Sequence, residues 1–168
     1  MKVTKLDFAV AILAGFTCLT MLFDLPVWAL FIGWAWYFAL GAKTFAFKQA
    51  IPALFVGYLL AAISIIIYAA SDYQMIALMI SVAVTVFILM LSIKTSIFSC
   101  SLASFNAYSC MFAGYYAGNF PKVASSSFDL NNIVISILWI ALANIVGLLC
   151  GYISVSIGSL GSKNKGTV

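Results

Sequence analysis

The chain has no histidine, arginine or glutamate, and its only charged side chains are eight lysines and four aspartates. Without His or Glu, most metal sites and most general-base arrangements lack their usual parts. The carboxylates Asp7, Asp24, Asp72 and Asp129 fall near the ends of apolar runs or in loops. A proton relay or coupling-ion site inside a membrane usually needs such a group within a span, so neither is expected. Charge is scarce throughout, 7% of residues against about 25% in soluble domains, too little to cover a water-facing surface. Proline is also rare, and Pro26, Pro52 and Pro121 fall at a helix start, in a first turn and after a helix end, where a missing N–H costs least. No Cys-x-x-Cys pair occurs, and Cys18, Cys100, Cys110 and Cys150 lie within apolar runs, as small buried hydrophobes do. No nucleophile–base pair or metal constellation can be assembled from these parts. An enzyme is not expected, and no cofactor or metal is called for.

What the chain does contain is hydrophobic residues, 65% of its 168. Six apolar runs can be delimited by charged or turn residues, roughly 6–23, 26–42, 50–70, 75–93, 97–118 and 132–157. Each is close to the ~20 residues that cross a ~30 Å hydrocarbon core. The expected fold is therefore all-α, a polytopic membrane protein of six transmembrane helices in a single transmembrane domain over 1–168. The net charge of +4 reads as a topology signal, and nucleic-acid binding is not expected. Lys2, Lys5, Lys43, Lys48, Lys94, Lys163 and Lys165 fall on one side of a six-span arrangement and only Lys122 on the other. Positive charge collects on the cytoplasmic side, so both termini are expected there. The first run has no small-x-small cleavage site before Asp24 and is read as a span, not a signal peptide.

The second and fifth runs are alike. Phe31-Ile-Gly-Trp34-Ala35-Trp-Tyr-Phe38-Ala39 aligns with Phe105-Asn-Ala-Tyr108-Ser109-Cys-Met-Phe112-Ala113, at an offset of 74 (31 to 105). The third and sixth runs carry a fainter echo, Val56-Gly57 to Ser64 against Val146-Gly147 to Ser154, at an offset of 90 (57 to 147). Two halves of three spans each, about 1–72 and 73–168, enter the membrane from opposite sides because three is odd. That is an inverted repeat, and the sites of such proteins often lie near the midplane between the halves. The alternative is chance similarity between aromatic-rich apolar helices. The run Phe31-x-Gly-Trp-Ala-x-x-Phe-Ala-x-Gly41 also resembles the small bacterial inner-membrane proteins typified by YcdZ, a family grouped under a domain of unknown function. That resemblance implies a bacterial inner-membrane location and a similar span number, and leaves function to be argued from residues.

Phe31, Trp34 and Phe38 share a helix face, as do Phe105, Tyr108 and Phe112 in the matching span. Trp34 and Trp36 lie some ~12–15 Å from the helix start, near the midplane, where an indole N–H must find a protein acceptor or a hydrated path. Ser101 and Ser104 continue the stripe of Tyr108, whereas Ser99, Asn106 and Cys110 occupy a different face. One expectation is a narrow slot between the second and fifth spans, lined by Phe31, Trp34, Phe38, Ser101, Ser104, Phe105, Tyr108 and Phe112. The other is a packed aromatic core without a passage. Asn106 and Asn144, the carboxamides deep in spans, read more simply as interhelical glue. Gly114-x-x-x-Gly118 and Ala143-x-x-x-Gly147-x-x-x-Gly151 allow close helix approach, within the chain or in a homo-oligomer. The polar loop 119–131 reads as a solvated outer connection or a cover over a vestibule. The expected partners are the lipid bilayer, a small neutral polar solute and possible further copies of the chain. The leading function is a channel or facilitator for that solute. A secondary transporter and a non-transporting assembly protein are the alternatives.

Overall fold

A computed structural model describes residues 3–123 and 128–160. Lys2, Lys163, Lys165 and the Ser125–Ser127 part of the polar loop lie outside the described residues. Within them the chain is all helical: α1 (Lys5–Thr17), α2 (Val27–Ala39), α3 (Phe45–Ala70), α4 (Met75–Ser92), α5 (Ser101–Ala117) and α6 (Leu130–Ser159). Four segments are long and apolar enough to cross a membrane, namely Lys5–Phe23, Phe45–Ala70, Met75–Ser92 and Leu130–Ser159, while Val27–Ala39 is a shorter apolar helix. The chain is an integral membrane protein.

The boundaries follow local chemistry. Thr4 and Asp7 form a reciprocal capping box at the start of α1. Its far end tightens into a 3₁₀ segment, Cys18–Phe23, where the hydroxyls of Thr17 and Thr20 donate to the carbonyls of Ala14 and Thr17, each at 2.7 Å. Pro26 caps α2, as its position in the sequence implies. That helix is shorter than its apolar run. Gly41 adopts φ +87°, and the Ala42 N–H donates to the Tyr37 carbonyl at 2.9 Å, the closure of a Schellman end. Two expectations change. Helix α3 starts at Phe45, so Pro52 lies inside it and not in its first turn. Helix α5 starts at Ser101, so Ser99 belongs to the connection, its hydroxyl donating to the Ser96 carbonyl.

The two longest helices, α3 with 26 residues and α6 with 30, form the centre. Helix α6 packs against α2 and α1, and α3 packs against α5 and α4. The principal crossings are backbone-close, and glycine makes them so. A Cβ added at Gly147 would lie 1.9 Å from the Leu30 carbonyl oxygen and 2.7 Å from the Trp34 nitrogen. At Gly33 it would meet the Asn144 backbone at 1.9 Å, and at Gly57 the Ser104 carbonyl oxygen at 2.2 Å and the Tyr108 nitrogen at 2.9 Å. Gly151 lies against the Tyr37 ring and Gly114 against Ile140. The glycines of the small-residue strings therefore serve contacts inside the chain, apart from Gly118, which closes α5 with φ +68°. Without a hydrophobic drive between helices in lipid, such close approach is a main source of packing energy.

Gly147→Val forces backbone atoms of α2 and α6 apart and is expected to destabilise the protein by about 3 kcal/mol, the upper end of overpacking costs. Gly15, with nothing within 4 Å, accepts Ala at no cost or with a gain of about 0.5 kcal/mol. Unfolding in mixed micelles measures both; equal effects would contradict the crossing geometry.

Candidate functional site

The crossings place three groups of polar side chains between the helices, and none of them carries a formal charge. The first group lies between α2 and α5, which touch each other far less than each touches its long partner. A cleft of about 290 Å³ opens there, lined by Trp28, Ile32, Asn106, Ser109, Cys110 and Ala113. Asn106 is oriented from α2: the Trp36 indole donates to its Oδ1 at 2.9 Å. The Asn106 amide is half-buried at the cleft wall, and the Ser109 hydroxyl beside it donates to the Phe105 carbonyl at 3.1 Å. Trp28 lines this cleft and also a second recess of about 290 Å³ at the end of α2, shared with Asp24, Pro26 and Asn119. Its indole is pinned by the Asn119 Oδ1 at 3.1 Å, so one held ring borders both spaces. Ser109 and Ala113 in turn border a wider recess of about 470 Å³ with Tyr108, Phe112 and Val82.

The second group is a ring of three hydroxyls from three helices. Ser64 and Thr85 lie 2.8 Å apart, Ser64 and Tyr108 3.0 Å, and Thr85 and Tyr108 2.9 Å. All three residues are buried, and Thr85 can also donate to the Ser81 carbonyl at 2.8 Å. The third group is centred on Asn144, which is fully buried. Its amide donates to the Ala29 carbonyl at 2.6 Å, and its Oδ1 accepts the hydroxyl proton of Tyr58. One side chain of α6 thus binds both α2 and α3.

Residues 8–159 match a protein family described as "Protein of unknown function (DUF1097)". The chain belongs to that family. No curated protein and no solved structure matches it. The family membership adds no substrate, so the chemistry of this DUF1097 chain rests on the groups above.

The eight residues expected to line an aromatic slot are not brought together. Phe31, Phe38 and Phe105 are 42%, 38% and 36% exposed, on the outer surface of the bundle. Ser101, the first residue of α5, is exposed, and the Ser104 hydroxyl is fully buried with the Cys100 and Ser101 carbonyls in reach. Phe31 stacks on Trp34 within α2, and Tyr108 lies beside Phe112 within α5. Among the described residues no ring pair joins the two stripes. The cause is steric: backbone-close crossings require the small faces of α2 and α5 to meet α6 and α3, which turns Phe31, Phe38 and Phe105 outward and leaves Phe112 half-buried against the core. Trp34 and Tyr108, at the edge of each buried face, remain inside. The groups that do face each other across the cleft lie on the other face, which carries Asn106 and Cys110. Their spacing was visible in the sequence, but aromatic rings offered the louder signal. Asn144 and Asn106 both bond between helices, as interhelical glue does.

The polar groups differ in what their loss should cost. Tyr108→Phe leaves Ser64 and Thr85 still paired and is expected to cost about 0.6 kcal/mol, the mean for interhelical hydrogen bonds in membranes. Asn144→Leu strands a buried tyrosine hydroxyl and should cost about 1–3 kcal/mol. Unfolding of both variants in mixed micelles checks the order, and a reversed order would contradict it.

Proposed function

We propose that this protein is a facilitator for a small neutral polar solute, which passes through the cleft between α2 and α5. The observation that carries this reading is the Asn106 amide, oriented by Trp36 at the wall of an uncharged cleft that opens between α2 and α5. A bare ion entering such a site would face a desolvation cost that no fixed charge offsets. A neutral solute needs only hydrogen-bonding groups in place of its water, and Asn106 and Ser109 supply them.

The architecture we infer is six spans in two inverted halves. The residues at the principal crossings support it. Gly57 meets Ser104 and Tyr108, while Gly147 meets Leu30 and Trp34. The two partner pairs differ by the offset of 74 (30 to 104, 34 to 108), and the two glycines by the offset of 90 (57 to 147). Exchanging α1 with α4, α2 with α5 and α3 with α6 turns the α2–α6 and α1–α6 packings into α5–α3 and α4–α3, the other two principal packings. The axis of such a repeat runs through the α2–α5 cleft, and Ile32 and Asn106, which both line it, are equivalents at the offset of 74.

Helices α2 and α5 are also the shortest of their halves' apolar elements or nearly so. Their 13 and 17 residues span about 20 and 25 Å, less than the ~30 Å hydrocarbon core. Paired short segments at corresponding positions mark the binding site in transporters built this way. In this reading Trp28, held by Asn119, closes the cleft toward the outer side, and the lysine distribution puts both termini in the cytoplasm of a YcdZ-like bacterial inner-membrane protein. The backbone-close crossings favour a facilitator that opens by movement over a permanently open pore.

Purified protein in liposomes is expected to equilibrate urea, acetamide or glycerol faster than empty vesicles, with no accumulation under a sodium or proton gradient. Asn106→Leu should lower that rate about tenfold, roughly 1.4 kcal/mol in barrier. Because it also leaves the buried Trp36 indole without its acceptor, it should cost about 1–3 kcal/mol of stability, so the flux is compared at equal amounts of folded protein. Rates equal to those of empty liposomes for every solute would overturn the reading.

A further inference from the structure

Three of the four tryptophans donate their indole proton to a defined acceptor: Trp28 to Asn119, Trp36 to Asn106, and Trp139 to the Asp24 carbonyl at 3.0 Å. Trp34 does not. Its side chain is only 3% exposed, and among the described residues no atom accepts from its Nε1. Buried polar groups in hydrocarbon are satisfied as a rule, because neither lipid nor bulk water can replace the missing partner.

The surroundings explain why the protein itself supplies no acceptor. At the α3–α5 crossing the corresponding residue is Tyr108, 74 positions on, which joins the hydroxyls of Ser64 and Thr85. Ser154 stands seven residues after Gly147, as Ser64 stands seven after Gly57. Its buried hydroxyl donates to the Gly151 carbonyl at 2.8 Å. The peripheral helix α4 contributes Thr85, but α1, which packs on α6 in the matching place, has no polar side chain from Phe8 to Phe16. One crossing closes its hydrogen bonds with three hydroxyls. The other presents a buried donor and no protein oxygen in the third place.

We propose that the Trp34 indole N–H is a binding site for a single neutral hydrogen-bond acceptor, either a water molecule or the carbonyl or hydroxyl oxygen of a small solute. A cation is excluded by the donor, and an anion by the lack of any neighbouring positive charge in the spans. The solute alternative rests on the proposed passage, and the water alternative does not.

The test uses full-length protein with ¹⁵N-labelled tryptophan in lipid nanodiscs, its four indole signals assigned by single Trp→Phe substitutions. The Trp34 N–H is expected to exchange magnetisation with water, or to shift on addition of acetamide. Trp36, engaged by Asn106, should do neither. Water transfer without an acetamide response identifies bound water, and a saturable acetamide shift identifies a solute site. A Trp34 signal at the position of an indole free of hydrogen bonds, without water transfer and indifferent to acetamide, would overturn the proposal. Failed liposome flux together with an occupied Trp34 would instead remove the passage and leave this site standing.

Discussion

Two backbone-close helix crossings govern the rest of this structure. At Gly33 and Gly147, α2 lies on α6 with main chain against main chain, and at Gly57, α5 lies on α3 in the same manner. In a bilayer the lipid is as apolar as leucine, so helices gain little by hiding greasy side chains from it. Contact area at short range decides which faces meet, and only glycine or alanine permits that range. Once α2 and α5 are committed to different long helices, they cannot pack fully on each other. The cleft between them follows from that commitment.

The same constraint sorts the polar groups. Asn144 lies where α2, α3 and α6 converge and can bond to the first two at once. Tyr108 enters the space beside Gly57 and finds Ser64 and Thr85. Asn106 emerges on the face of α5 turned to α2 and is oriented by Trp36. Each bond is worth little alone, since average interhelical hydrogen bonds in membranes contribute about 0.6 kcal/mol. Their larger effect is positional: they hold uncharged donors and acceptors between the helices of a protein whose charged residues, among those described, lie at or near helix ends and in connections.

Composition made the membrane setting legible, because 7% charge leaves no other solvent for so apolar a chain. Pro26 marked the start of α2, and the small-residue string of α6 marked a crossing surface. The offsets of 74 and 90 picked out residues that do meet at the two crossings. What sequence could not reveal was direction. Periodicity groups Phe31, Trp34 and Phe38 on one face without saying whether that face looks inward, and strong aromatic colouring suggested that it did. The close contact of Gly33 with the Asn144 backbone left Phe31 and Phe38 outside and kept only Trp34 within. Helix ends were obscured for a different reason. Gly41, Ala42 and Ser99 continue the apolar or polar pattern of their neighbours, while turn geometry, not hydropathy, ends or precedes the helix there.

The orientation of α2 and α5 is the claim on which cleft, hydroxyl ring and unpaired indole all depend. Cysteine placed singly at Asn106, Phe31 and Phe105 in a cysteine-free background, and exposed in nanodiscs to a charged, water-soluble thiol reagent, measures it. The structure predicts reaction at Asn106→Cys, on the cleft wall, and none at Phe31→Cys or Phe105→Cys, which face lipid. Labelling at the two phenylalanine positions with an inert Asn106→Cys would contradict it.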